Sequence, residues 1–411
     1  MYDQWTLSNG LRVIGERMPH IRSCTVGIWL PVGSALEDSR NNGLSHFIEH
    51  MLFKGTEKRS ARIIAEEMDS VGGHLNAFTG KECTCIHAKV LDENLSMAID
   101  ILSDLVLHSL FTHEDIDKER LVILEEIAMN EDTPEDVVHE MLASAQFCQK
   151  TYGMPILGTE CNITRFKRSD IQSFYNLHYC PSQTVISIAG NYSPDEFITQ
   201  IDSVFGQWKN TLVPKPQIKT ETLSGTKTTR EKDIEQLHIC LGFPGLSMQD
   251  ERNTALSVFN NVVGGSVSSR LFQHIREDLG LVYSVYSYPS FYTCCGTFTI
   301  YAGASPQKAN EVLTLIQNEV AAVKKNGIHP AEVNKAKAML RNAYLLALES
   351  PTARMHASGR SILHLGYTRT HEEELHRINN ISVDDIQEVT ALLLSEPVVL
   401  SVLGRAVDIF N

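Results

Sequence analysis

The sequence predicts an α+β protein built from two homologous domains, and three observations carry that prediction. Stretches of strand period and of helix period are interspersed along the first half of the 411 residues. Residues 214–230 (PKPQIKTETLSGTKTTR) are polar and broken by two prolines and a glycine, the composition of a junction running into a first strand. Beyond that junction the opening pattern returns. LHICLGF at 237–243 stops at Pro244, as CTVGIWL at 24–30 stops at Pro31, and DERNTALS at 250–257 follows where DSRNNGLS stood at 38–45. Five of those eight positions are identical at a spacing of 212 residues, the mark of an internal repeat. The domains are therefore placed at 1–213 and 231–411, with 214–230 as linker and first-strand region.

Taken in order, residues 4–16 (QWTLSNGLRVIGE) give a short run, the turn pair Asn9-Gly10 and an alternating run, which predicts a hairpin. Residues 24–30 form an apolar strand, interrupted by Pro31-Val32-Gly33-Ser34. A helix is predicted from about Asn42 to Phe53, with Gly55 closing it. Residues 61–71 place apolar side chains at helical spacing and stop at Gly72-Gly73, and 74–91 (HLNAFTGKECTCIHAKVL) is strand-like. Helical period resumes over 91–107. Thr112 with Asp115 then makes the capping pair of a helix reaching about Met129, and after a break at Glu131-Asp132-Thr133 a further segment covers 135–146. Leu157-Gly158 marks a loop, 169–176 a helix, VISIA at 185–189 a buried strand, and 193–205 a last helix before the junction.

Composition narrows the function. Apolar residues make up 43% and charged residues 21%, ordinary for a globular chain. The net charge of −14 argues against nucleic acid as a partner and suits a cationic peptide. The N-terminus, MYDQWTLSNGLRVI, has neither a basic region followed by an apolar core nor an Arg-rich, acid-poor character, and no stretch approaches the ~18 apolar residues of a membrane span. Nine scattered cysteines, with neither Cys83/Cys85 nor Cys294/Cys295 at zinc-site spacing, read as thiols in a reducing compartment, hence the cytoplasm.

The chemistry concentrates in GLSHFIEHML, 43–52, where His46, Glu49 and His50 spell H-x-x-E-H. On a helix, positions i, i+3 and i+4 share a face, so two imidazoles one turn apart hold one metal ion while the carboxylate stays free to handle a proton. This is the reverse of the H-E-x-x-H zinc helix. A third ligand must come from elsewhere. In the 112–129 helix Glu119 and Glu126 are seven apart and share a face, which the neighbouring Val122 and Ile123 turn partly inward; Glu125 is an adjacent rival. In the repeat, Val258, Asn261 and Val262 stand opposite the three motif residues, so the second copy cannot bind zinc there.

With these residues the chain resembles the pitrilysin/insulinase family of zinc peptidases, and within it the bacterial processing-protease branch related to the β subunit of the mitochondrial processing peptidase. Further matches are Lys54-Gly55-Thr56, Gly72 to Thr79, Pro155 to Thr159, Ala189-Gly190-Asn191 and REDLGLVYSVYS at 276–287, so the likeness covers nearly the whole chain. It implies two domains, each a mostly antiparallel sheet packed with helices, arranged as a clamshell half-shell. It implies zinc held by His46, His50 and Glu126, with Glu49 as general base and Glu119 as a supporting carboxylate. It further implies an edge strand binding the substrate through Asn76, Ala77 and Phe78, and carbonyl binding by Arg276 with oxyanion stabilisation by Tyr283. Unfolded or presequence-like peptides are the implied substrates, and a homodimer the implied assembly. The alternative is a non-catalytic structural or partner subunit of a peptidase-like complex. Such chains lose part of the motif, which the first copy here keeps intact.

Overall fold

The computed structural model describes residues 2–209, 218, 227–394 and 398–405, so the expected linker lies outside the described residues except for 218 and 227–230. The chain divides into two compact units, each built on one sheet.

The first sheet has six strands: β1 (Tyr2–Thr6), β2 (Arg12–Arg17), β3 (Ser23–Leu30), β4 (His74–Thr79), β5 (Thr84–Leu91) and β6 (Val185–Gly190), in the order β1-β2-β6-β3-β5-β4. Among the described residues only β2 and β6 run parallel; the other pairs are antiparallel, and β4 ends the sheet, hydrogen-bonded to β5. The expected hairpin forms, and Gly10 at φ 88° makes its turn. One face of the sheet carries the main core: Val26, Ile28, Ile86, Ala88 and Ile188 pack against Phe47, Ile48, Ile99 and Leu102 of the helices Leu44–Leu52 and Leu95–His108.

The second unit repeats that plan. β7 (Lys227–Glu231), β8 (Leu237–Pro244), β9 (Val282–Phe291), β10 (Gly296–Ala304) and β11 (Val399–Gly404) lie in the order β7-β11-β8-β10-β9, with β7 and β11 parallel and the other pairs antiparallel. Strand for strand this is β2-β6-β3-β5-β4. The correspondence reaches single residues. β6 and β11 both end on a glycine in the left-handed region, Gly190 at φ 138° and Gly404 at φ 143°. Asp38 and Asp250 each accept a bond from the backbone N–H two residues on and pair with that residue's guanidinium, Arg40 and Arg252. The helices Leu44–Leu52 and Asn253–Val263 follow at the same place.

The units do not divide where the sequence divides. Residues 128–154 group with the second sheet and 346–368 with the first. In the first unit the helix Pro351–His364 covers the sheet face opposite the main core, where Trp29 donates from Nε1 to Ser187 Oγ and Ser187 Oγ donates to Met355 O. In the second, Pro134–Gln146 does the same, with Val137, Val138 and Leu142 packed on Cys240, Tyr301 and Leu403. A cut at 213 therefore removes a layer of the first unit. All nine cysteines are free thiols, and among the described residues no helix is long and apolar enough to cross a membrane.

Candidate metal centre

The Leu44–Leu52 helix buries Leu44, Phe47, Ile48, Met51 and Leu52, which recur at three and four and anchor one face in the core. That leaves His46, Glu49 and His50 together on the other face. Gly43 starts the helix at φ 105°, a left-handed conformation in which a Cβ would also meet Gly158 Cα at 2.9 Å. The carboxylate helix, His113–Glu131, begins at Thr112, whose hydroxyl accepts from Asp115 N and donates to its carboxylate, as expected. It buries Ile116, Glu119 and Ile123. Val122, expected to face inward, is instead exposed, at the solvent-side edge of the face on which Glu119 and Ile123 are buried. Glu125 is exposed as well, which leaves Glu126 to face the histidines.

Three ligand atoms converge there, one each from His46, His50 and Glu126, all within 4.8 Å of one another. His50 Nε2 lies 3.4 Å and His46 Nε2 3.7 Å from Glu126 Oε2, and the two rings sit edge to face at 4.7 Å between centroids. A tetrahedral ion with arms of ~2.0–2.1 Å has ligand-to-ligand edges of roughly 3.3–3.4 Å, close to the two edges that run to Glu126. Two imidazoles and one carboxylate are also the donors of a catalytic site with an open fourth position. Burial, and next the neighbouring His50, push His46 down to about 4, which keeps its ring neutral and fit to ligate. The other nitrogen of His50, Nδ1, lies 3.0 Å from Glu119 Oε2, so Glu119 fixes the tautomer that presents Nε2. Glu119 in turn accepts from Lys54 Nζ at 2.6 Å through its other oxygen.

Glu49 stands beside this cluster without joining it. Its carboxyl is pushed up first by burial, against the opposing pull of the Thr79 hydroxyl and of His50. Its Oε2 is buried and has no hydrogen-bond partner among the described residues. A carboxylate so placed can take up and return a proton. Thr79 ends β4, so the edge strand runs up to the motif helix. Asn76 and Phe78 are exposed on that strand, Ala77 is half-buried, and Asn76 Oδ1 accepts from Ala77 N. Phe78 also packs edge-on against Trp29, at 5.7 Å.

Arg276 and Tyr283 belong to the second unit and meet each other there. Arg276 lies on a π-helical turn, Phe272–Asp278, with its guanidinium 4.5 Å from the centre of the Phe272 ring and 5.6 Å from that of Tyr283. Tyr283, on the edge strand β9, is 77% exposed. The extra residue per turn in 272–278 is invisible in the sequence. Lys54 was missed as a member of the centre, although its step of four from His50, itself four from His46, continues the same spacing just past the end of the helix.

Comparison with known proteins places the chain beside two families and several relatives. Residues 12–160 match the family described as Insulinase (Peptidase family M16), and 165–340 match Peptidase M16 inactive domain. The chain is 42% identical over 408 residues to the uncharacterized zinc protease YmxG of Bacillus subtilis, covering 98% of each. An uncharacterized zinc protease of Streptomyces coelicolor is 41% identical over 410 residues, 98% of this chain and 89% of that one. In fold the chain is similar to a protease from Helicobacter pylori, with TM-score 0.92 at 20% identity and 98% and 99% of the two chains covered.

Proposed function

The chain belongs to the insulinase family of M16 peptidases, and from that premise we propose that it is a zinc-dependent endopeptidase acting on short, unfolded or presequence-like peptides. The observation that carries the reading is a single helix face. His46 and His50 turn towards Glu126, while Glu49 keeps a buried, unpartnered carboxylate oxygen beside them. Zinc bound by that set would supply a Lewis acid and lower the pKa of water.

Glu49 would take the proton of the attacking water and deliver it to the departing amine; burial raises its carboxyl and so helps it hold the proton between the two steps. Glu119 keeps His50 in the ligating tautomer. Strand addition to β4 would fix the peptide backbone along Asn76, Ala77 and Phe78, and the Thr79–Glu49 link at the end of that strand favours a scissile bond placed there. Arg276 would bind a substrate carbonyl and Tyr283 the developing oxyanion; the exposure of Tyr283 supports that assignment. The net charge of −14 favours basic segments, and nine free thiols favour the cytoplasm.

Glu49→Gln tests the reading. The variant is expected to keep one zinc per chain while hydrolysis of a mixed peptide library, read by mass spectrometry, falls at least ~100-fold. Wild-type turnover in the variant contradicts the role of Glu49. A zinc-free wild type with no chelator-sensitive hydrolysis turns the assignment to a non-catalytic partner subunit.

A further inference from the structure

Glu37 is a buried carboxylate that touches none of the ligands, 5% exposed at the end of the turn before the motif helix. Its Oε2 accepts from Gly43 N at 2.8 Å and from Asn42 Nδ2 at 2.9 Å, and its Oε1 accepts from Ser45 N at 2.7 Å. Gly43 and Ser45 flank the first residue of the Leu44–Leu52 helix, and Gly43 has no side chain with which to cap it. Glu37 therefore caps this helix from outside, one residue before His46. Asn42 ties the same assembly to the next loop by donating to Pro155 O, and Asn162 donates to Asn42 O.

The repeat shows what this carboxylate is not needed for. At the spacing of 212 the counterpart of Glu37 is Gln249, which is exposed, and the Asn253–Val263 helix starts without a side-chain cap. The Asp–Arg bridges at 38/40 and 250/252 persist in both copies, so they belong to the scaffold. Glu37 and the three motif residues occur only in the first. A buried charge is costly to desolvate, and the second copy forms the same helix without one.

Electrostatics supplies a reason. A helix N-terminus carries a partial positive charge felt over its first turn, and His46, the third residue of the helix, lies within that turn. A divalent ion on His46 would meet that positive end. Burial raises the Glu37 carboxyl, and the bonds from Ser45, Gly43 and Asn42 oppose that; a carboxylate bonded to the first-turn amides offsets the positive end and holds the turn that aims the ring.

We infer that Glu37 is a positioning residue for the metal centre, setting zinc affinity through the N-terminus of the motif helix. The inference rests on the zinc reading above, and the measurements separate the two. In Glu37→Gln the amide NH2 must face a backbone donor and the charge is gone. Zinc Kd, measured by chelator competition, is expected to rise about 10- to 100-fold, the usual range for groups that support ligands from behind. Saturating zinc is expected to restore kcat. Phe197→Leu, a core truncation in the Pro194–Phe205 helix of the same unit, serves as a destabilised control and is expected to keep the wild-type Kd. Wild-type affinity in Glu37→Gln, or an equal loss in the control, overturns the inference and leaves Glu37 a structural cap. A wild type that binds no zinc overturns the zinc reading itself. If Glu37→Gln yields no folded protein, Glu37→Asp is read instead. Its shorter arm releases one backbone N–H, several-fold weaker binding is expected, and unchanged affinity overturns the inference.

Discussion

Lys54 holds Glu119, and Glu119 holds His50, so the orientation of His50 depends on a cation two residues beyond the motif helix. Lys54→Ala would leave the nearly buried Glu119 to seek another partner, and its bond to His50 Nδ1 would lose direction. Zinc affinity is expected to fall about 10-fold, less than in Glu119→Ala, as measured by chelator competition; equal affinities for wild type and Lys54→Ala would show that the lysine is a bystander. At this scale the sequence was legible where periodicity decides. The step of three and four put His46, Glu49 and His50 on one face, and the step of seven brought Glu126 to them in preference to Glu125. It was silent on Glu37 and Thr79, because a carboxylate accepting backbone amides and a hydroxyl reaching a neighbouring helix have no spacing rule.

Among the elements, the exchanged helices depend on missing side chains. A Cβ on Gly359 would lie 2.6 Å from Ser187 Oγ and clash with Trp29 Nε1, and one on Gly27 would lie 2.5 Å from Met355 Sδ. Gly359→Ala gains ~1 kcal/mol in helix propensity. Overpacking costs ~1–3 kcal/mol, and Trp29 is pinned by its bond to Ser187, so the net effect is a lower Tm by calorimetry. In the second unit Arg270 pairs through two bonds of 2.7 Å with Glu332, and that contact holds the Glu332 carboxyl below its ordinary value of 4.5. A depressed carboxyl stabilises the fold above its unfolded pKa and loses that contribution as pH falls. The stability gap between wild type and Arg270→Ala should thus be widest above about pH 5 and narrow towards pH 3, as followed by urea unfolding at each pH; a constant gap would mean that the pair contributes through packing alone. In the first half the strands and helices were largely legible from hydrophobic period and from the turn pairs at Asn9-Gly10 and Gly72-Gly73, whereas no element is predicted beyond the repeat at 250–257. Which sheet the Pro134–Gln146 helix would cover was not legible, because helical spacing marks an apolar stripe but not its partner.

For the molecule as a whole, duplication explains more than any single contact. Two sheets of matching order were built, and the second copy carries Val258, Asn261 and Val262 where the first has His46, Glu49 and His50. The repeat could be read from DSRNNGLS and DERNTALS, but the helix exchange that makes each unit discontinuous could not, since nothing local marks a segment as belonging to a distant sheet. A fragment of residues 1–213 lacks the Pro351–His364 layer and is expected neither to unfold cooperatively nor to hold zinc until a peptide spanning 346–368 is added; a fragment that does both alone would contradict the interleaved description. The central claim is that one copy of this duplicated scaffold, and not the other, is a zinc centre. Anomalous diffraction at the zinc edge from crystals of the full chain tests it most directly. One peak per chain is expected, bounded by His46, His50 and Glu126 with ligand distances of about 2.0–2.2 Å. A peak elsewhere, or none from protein loaded with zinc, would contradict it.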